Sequence, residues 1–120
     1  MTIFYTKDLQ WVRETQDGFV VGLTARAVKE MGKLTLVELP PLGDRIQIGD
    51  EAVLIESTKA ATDLVAPLSG QVIECNDGVT RMPTLASEEP EGAGWLYKLR
   101  AEDRSELALL SRQTPDDEQE

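Results

Sequence analysis

Leu54-Ile55-Glu56-Ser57-Thr58-Lys59-Ala60-Ala61-Thr62-Asp63-Leu64-Val65 decides the fold. Two runs rich in aliphatic and β-branched residues flank a short polar tip of small residues, which is the pattern of a hairpin with Lys59 at its turn. The flanking runs can bury their apolar side chains and fix the backbone. An ammonium on a four-carbon stem prefers water, so Lys59 is expected to project from the tip, within reach of a modifying enzyme. Taken alone, a lysine between two strands is an ordinary solvated side chain, and the rest of the chain must decide whether this one is more.

Working outward, the neighbouring segments are short strands with turns between them. Arg45 to Ile48, Ala52 to Glu56, Thr62 to Val65 and Gln71 to Cys75 are separated by Gly49-Asp50, the Lys59 tip and Pro67-Leu68-Ser69-Gly70. This even spacing predicts a small β sandwich or barrel. Pro41-Leu42-Gly43-Asp44-Arg45-Ile46 and Pro67-Leu68-Ser69-Gly70-Gln71-Val72 form a weak internal repeat, and Lys59 lies between the copies. Earlier in the chain, Thr2 to Thr6 and Trp11 to Glu14 are β-prone. Asp17-Gly18 is read as a hairpin turn using glycine's tolerance of positive φ, and Phe19 to Leu23 returns from it. Thr24 caps a helix over Ala25 to Met31 that Gly32 stops, expected to be the only helix before the carboxyl end. Lys33 to Leu39 resumes β structure. Asn76 to Gly94 is read as a surface loop, Trp95 to Leu99 as a strand with Trp95, Tyr97 and Leu99 in alternation, and Ser105-Glu106 as the start of a short helix to Leu110.

The expected fold is therefore all-β with short helices, in one domain over residues 1–112. Thr114 to Glu120 holds no apolar residue, so 113–120 is expected to be a disordered acidic tail. Hydrophobic residues make up 41% of the chain but aromatic ones only 5%, so the core must be built from Val, Leu, Ile and Ala. The net charge of −10 makes the average surface repel phosphate backbones and anionic membranes, which argues against nucleic-acid and membrane partners and favours basic docking faces on proteins. Met1 to Tyr5 lacks the basic and apolar regions of a signal peptide, and a cytoplasmic location is expected. With no histidine and a single cysteine, Cys75, most catalytic and transition-metal chemistry lacks its usual side chains. Cys75 ends an apolar strand and is expected to be a small core residue, since a reactive thiolate needs exposure and positive surroundings.

Glu56-Ser57-Thr58-Lys59-Ala60-Ala61-Thr62-Asp63 with Ala66-Pro67-Leu68-Ser69-Gly70 resembles the lipoyl-lysine motif and following turn of glycine cleavage H proteins. Further blocks extend the resemblance from about Tyr5 to about Leu110: Trp11-Val12-Arg13, Val21-Gly22-Leu23-Thr24 with Val37-Glu38-Leu39-Pro40, and Gly94-Trp95-Leu96-Tyr97-Lys98-Leu99 with Ser105-Glu106-Leu107. Biotin carriers are less similar, because they place methionine on both sides of the acceptor lysine. Isolated lipoyl domains of 2-oxoacid dehydrogenases lack the block around Trp11 and the helix after Thr24. The resemblance implies a barrel-sandwich hybrid with the acceptor lysine at a hairpin tip, lipoate covalently attached at Lys59, and a non-catalytic carrier. Its implied partners are a lipoate-attaching enzyme, ligase or transferase, and dihydrolipoamide dehydrogenase. Glu56 and Asp63 are implied recognition or arm contacts, and Gly70 is assigned to turn geometry.

Departures from the family bear on the cargo. H proteins have His-Glu before the tryptophan matched by Trp11, where this chain has Leu9-Gln10. In the family that acid helps hold the amine of the aminomethyl-loaded arm, and an amide accepts from a cationic amine less strongly than a carboxylate. Gln10 is thus expected to line the arm's cleft and hold the amine poorly, although Asp63 matches the family's second acid. The family's Asn-Pro is absent from Asn76 to Ser87, and its carboxyl-terminal tyrosine-containing helix gives way to Thr114-Pro115-Asp116-Asp117. These departures resemble the lipoate-binding proteins of bacterial sulfur oxidation, which serve a heterodisulfide-reductase-like complex. On this reading that is the leading role, and the alternative is the glycine cleavage H protein, carrying the aminomethyl group from glycine decarboxylase to aminomethyltransferase.

Overall fold

The computed structural model describes residues 2–112, so the tail expected at 113–120 lies outside the described residues. Nine strands run in chain order as β1 (Ile3–Tyr5), β2 (Gln10–Glu14), β3 (Phe19–Leu23), β4 (Leu34–Glu38), β5 (Arg45–Ile46), β6 (Glu51–Ser57), β7 (Ala61–Val65), β8 (Gly70–Cys75) and β9 (Tyr97–Ala101) among the described residues. They form a six-stranded sheet, ordered β1-β2-β3-β9-β8-β5, and a three-stranded sheet, ordered β4-β6-β7. This is a mostly β fold with short helices, consistent with a barrel-sandwich hybrid.

Alternation places the core between the sheets. Val12, Val21, Leu99 and Val72 from the larger sheet and Val37, Val53, Ile55 and Leu64 from the smaller are all buried in one apolar cluster. Their small branched side chains fill the interior that the low aromatic content requires. The repeat seen in the sequence has a structural counterpart. β5 and β8 pair antiparallel with Arg45 opposite Gln71, the two residues the repeat equates, as a two-fold relation between the copies demands. The β6–β7 hairpin carrying Lys59 runs between them in the chain, with Leu54 opposite Asp63 and Glu56 opposite Ala61.

Helix α1 (Ala25–Met31) forms as the sequence predicts: the Thr24 hydroxyl accepts from the Ala27 N–H, and Gly32 closes it at φ +82°. It is not the only helix before the carboxyl end. The segment read as a surface loop contains α2 (Asp77–Arg81) and α3 (Thr84–Glu88), each of five residues. Asn76 organises this region, accepting from the Gly78 N–H at 3.1 Å while its amide donates to the carbonyls of Ala93 at 2.9 Å and Trp95 at 2.6 Å. Each helix buries a single apolar residue, Val79 or Ala86, and so offers no periodicity to read. Strand β9 starts at Tyr97 rather than Trp95; Leu96 and Tyr97 are both fully buried, so the expected alternation fails there. The last helix is a 3-10 helix, Arg104–Leu109, capped by Asp103, whose carboxylate accepts from the Ser105 N–H at 3.0 Å. Glu106 fastens it to the barrel by accepting from the Ser69 N–H at 2.7 Å and hydroxyl at 2.8 Å.

Two glycines serve a purpose other than the one the sequence suggests. Neither Gly18 nor Gly70 has a positive φ. A Cβ at Gly18 would overlap the Leu99 carbonyl oxygen, and one at Gly70 would overlap that of Arg100. Both residues are therefore selected by close backbone approach to β9, not by turn conformation. Gly18→Ala is expected to cost about 1–3 kcal/mol in a urea unfolding titration because backbone must shift. An unchanged midpoint would show that the β2–β3 turn can move off Leu99 freely.

Candidate functional site

The tip of the β6–β7 hairpin is closed by one side chain. The Ser57 N–H donates to the Ala60 carbonyl at 2.9 Å, and the Ser57 hydroxyl oxygen accepts from the N–H groups of Lys59 at 3.1 Å and Ala60 at 3.2 Å. The Thr58 N–H donates to the Lys33 carbonyl at 3.0 Å, which ties the tip to the link between α1 and β4. Lys59 is thus an exposed residue at the centre of a turn whose backbone N–H groups are already engaged.

Its side chain does not simply project into water. The Lys59 stem runs beside Gly32, with Cε and Cδ 3.5 and 3.7 Å from where a Cβ there would stand, and Nζ donates to the Glu30 carbonyl at 3.5 Å. The carboxyl end of α1 carries partial negative charge, which attracts the ammonium. At that distance the contact is marginal and does little to hold the amine in place.

Beside the stem lies an open cleft of about 380 Å³ between α1, the hairpin tip and residues 7–9. Leu9, Ala27 and Met31 give it an apolar side, while Asp8 and Glu30 give it carboxylates. Leu9 sits at φ +67°, a left-handed conformation uncommon for a bulky side chain and worth of order 1–3 kcal/mol of strain. Thr24 holds it there, donating to the Leu9 carbonyl from its N–H at 3.0 Å and its hydroxyl at 2.9 Å. This kink turns the chain between β1 and β2 at the cleft that Lys7, Asp8 and Leu9 line.

The residues singled out by sequence separate into three places. Lys59 is at the tip, and Gln10 does not line the cleft at all. Gln10 is fully buried, with its amide nitrogen donating to the Asp8 carboxylate at 2.9 Å and the Val65 carbonyl at 3.0 Å. The expectation that Gln10 meets the cargo is therefore corrected: its amide donates inward to the acid that does line the cleft. Glu56 and Asp63 are exposed. In the hairpin register they share the face opposite the buried Val53, Ile55 and Leu64, and neither lines the cleft. Strand alternation turns the Asp63 side chain outward, where it stays exposed beside the hairpin rather than in the cleft.

Asp8 was missed by sequence reasoning. Its carboxylate accepts from the Thr6 hydroxyl, from Gln10 and, at 3.5 Å, from the Val65 N–H. Thr6-x-Asp8-x-Gln10 is a local polar pattern that could have flagged it, but only the Leu9 kink makes the pattern converge. Behind it, the fully buried Tyr97 hydroxyl has its pKa driven far up by burial and by the Asp8 charge, so it stays neutral. Cys75 lies elsewhere, half-buried, with its thiol donating to the Pro40 carbonyl at 3.3 Å. Burial, then Asp77 and Glu74, push its pKa up, the opposite of what a reactive thiolate needs. Among the described residues no cluster of acids and cysteine is arranged to hold a metal, and no helix is long and apolar enough to cross a membrane.

Comparison with known proteins agrees with this geometry. The family model "Glycine cleavage H-protein" matches residues 3–119. The glycine cleavage system H protein of Photorhabdus laumondii is 43% identical over 107 residues, covering 88% of this chain and 82% of that protein. That of Magnetococcus marinus is 41% identical over 112 residues, covering 92% and 80%. The crystal structure of a glycine cleavage system H protein from Mycobacterium marinum superposes with a TM-score of 0.78 at 36% identity, covering 88% of this chain and 93% of that one. The chain belongs to the glycine cleavage H-protein family, whose members are non-catalytic carriers with a lipoate attached covalently to a lysine.

Proposed function

We propose that Lys59 is the lipoylated residue and that the chain serves glycine cleavage, carrying the aminomethyl group from glycine decarboxylase to aminomethyltransferase. A lipoate ligase or transferase and dihydrolipoamide dehydrogenase would be its other partners, in the cytoplasm. The observation that carries this reading is an exposed lysine on a turn locked by Ser57, beside a cleft whose lining includes Asp8 and Glu30. The residues present fit a lipoyl group: the amine is accessible, the turn needs no rearrangement, and the cleft offers apolar wall from Leu9, Ala27 and Met31.

When attached, the group supplies a dithiol on a long flexible arm, which keeps a carried fragment at high local concentration near successive enzymes. Ser57 and the Thr58–Lys33 bond hold the anchor so that the arm moves and its base does not. Asp8 offers a cationic amine a charge-assisted acceptor inside the cleft. Gln10 and Thr6 orient that carboxylate by donating to it.

This reverses the ranking drawn from sequence. The preference for sulfur oxidation rested in part on Gln10 being a poor amine acceptor, yet Gln10 is a buried donor and an acid, Asp8, lines the cleft. Each relative named above is a glycine cleavage system H protein, which further supports that pathway over the heterodisulfide-reductase-like one.

Loading of the lipoylated protein by purified glycine decarboxylase tests the reading. Lys59→Arg should abolish loading. Asp8→Asn should lower it roughly tenfold, as loss of a charge-assisted contact of about 1.4 kcal/mol would do; undiminished loading of this variant would remove Asp8 from the account. Gln10→Glu replaces an amide that donates to Asp8 and Val65 with a group that sets a second carboxylate against Asp8. It is expected to lose about 1–3 kcal/mol of stability in urea and to load no faster. A stable Gln10→Glu protein with faster loading would return the amine-holding role to position 10.

A further inference from the structure

A second cleft, larger than the one beside Lys59, lies elsewhere on the described surface. It is an open groove of about 750 Å³ at the far end of β4, between that strand, the Pro40–Leu42 link, β8 and the start of α2. Leu36, Leu39 and Ile73 make much of its lining apolar, with Cys75 and Thr80 among them, and Leu42, also lining it, stands 69% exposed. Glu38, Glu74 and Asp77 also line it, all three are exposed, and no lysine or arginine does. None of the three acids takes part in an ion pair among the described residues. A solvated apolar lining rimmed by unpaired charges of one sign is costly to leave open and complementary to one kind of partner.

We propose that this groove docks a segment of a partner enzyme that presents an aliphatic side chain flanked by lysine or arginine, and so holds the enzyme while the arm on Lys59 reaches its active site. The proposal rests on the carrier role given above. A second copy of this chain is a poor occupant, because its net charge of −10 would bring like charge to the acidic rim. The placement suits a carrier. Leu34 pairs with Ser57 at the tip and Leu36 with Glu56, so the groove begins two residues along β4, roughly 7 Å at the usual strand rise, from the turn that carries the lysine, and runs away from it. A partner seated there is close enough to be served by the arm without covering its anchor.

Steady-state kinetics of the lipoylated carrier with purified glycine decarboxylase, aminomethyltransferase and dihydrolipoamide dehydrogenase, taken over a range of salt concentrations, tests this. Glu38→Gln/Glu74→Gln and, separately, Leu42→Ser change exposed side chains, and unaltered urea midpoints should confirm that both proteins fold. With at least one enzyme, KM for the carrier should rise roughly 3- to 10-fold in each variant with kcat unchanged, and the salt dependence of KM should flatten in the double variant. KM values within about twofold of the parent for all three enzymes would overturn the docking inference while leaving the carrier reading standing. Refusal of the parent carrier by all three enzymes would instead sink the pathway reading and the docking inference with it. A dimer of the parent in sedimentation that Leu42→Ser dissociates would assign the groove to a second copy, and so also overturn it.

Discussion

The inward burial of β6 and β7 is the constraint on which the rest depends. Val53, Ile55 and Leu64 are each about fully enclosed, at 1% exposure, and burying side chains of this size contributes roughly 1.5–3 kcal/mol apiece. With period-two alternation, this fixes which residues of the hairpin face the core and forces the others outward, so the register cannot slip by one without exposing the whole inner face. The tip at Ser57–Ala60 then has no core to lean on, and its order comes from the Ser57 hydroxyl and the Thr58–Lys33 bond. A rigid base with an unburied lysine suits the attachment proposed for Lys59, and it follows from packing several residues away.

The region facing the tip is built on the opposite principle, with strain held by polar contacts. Leu9 is kept at positive φ because Thr24, which also caps α1, donates twice to its carbonyl. One threonine thereby fixes both the start of α1 and the kink beside Asp8, which lines the cleft. The buried amide of Gln10 completes the arrangement by donating to Asp8 and to β7 through Val65, which joins the cleft's acid to the hairpin that carries the lysine.

The fold was largely legible in sequence, since it rests on local signals. The β6–β7 hairpin, the Thr24 cap, the Gly32 stop and the paired turns at Pro41 and Pro67 all emerged where alternation and turn chemistry placed them. The helices α2 and α3 were hidden, being too short to show a period, and Asn76 as their organiser acts through contacts nearly twenty residues away. At the site, Lys59 was visible because its neighbours are contiguous. Asp8 was not, because its role depends on a backbone angle at Leu9 that no residue type announces. Gln10 was misread for a related reason: its place next to Trp11 suggested the cleft, whereas burial of the residue itself directs its amide to Asp8 and Val65.

The central claim is that this architecture exists to present one lysine. Peptide mapping by tandem mass spectrometry of the protein isolated from the cells that make it tests that claim directly. The account predicts a lipoyl group on Lys59 and none on Lys7, Lys29, Lys33 or Lys98. A lipoyl group on one of those other lysines, or protein that is active in its pathway with Lys59 unmodified, would contradict it.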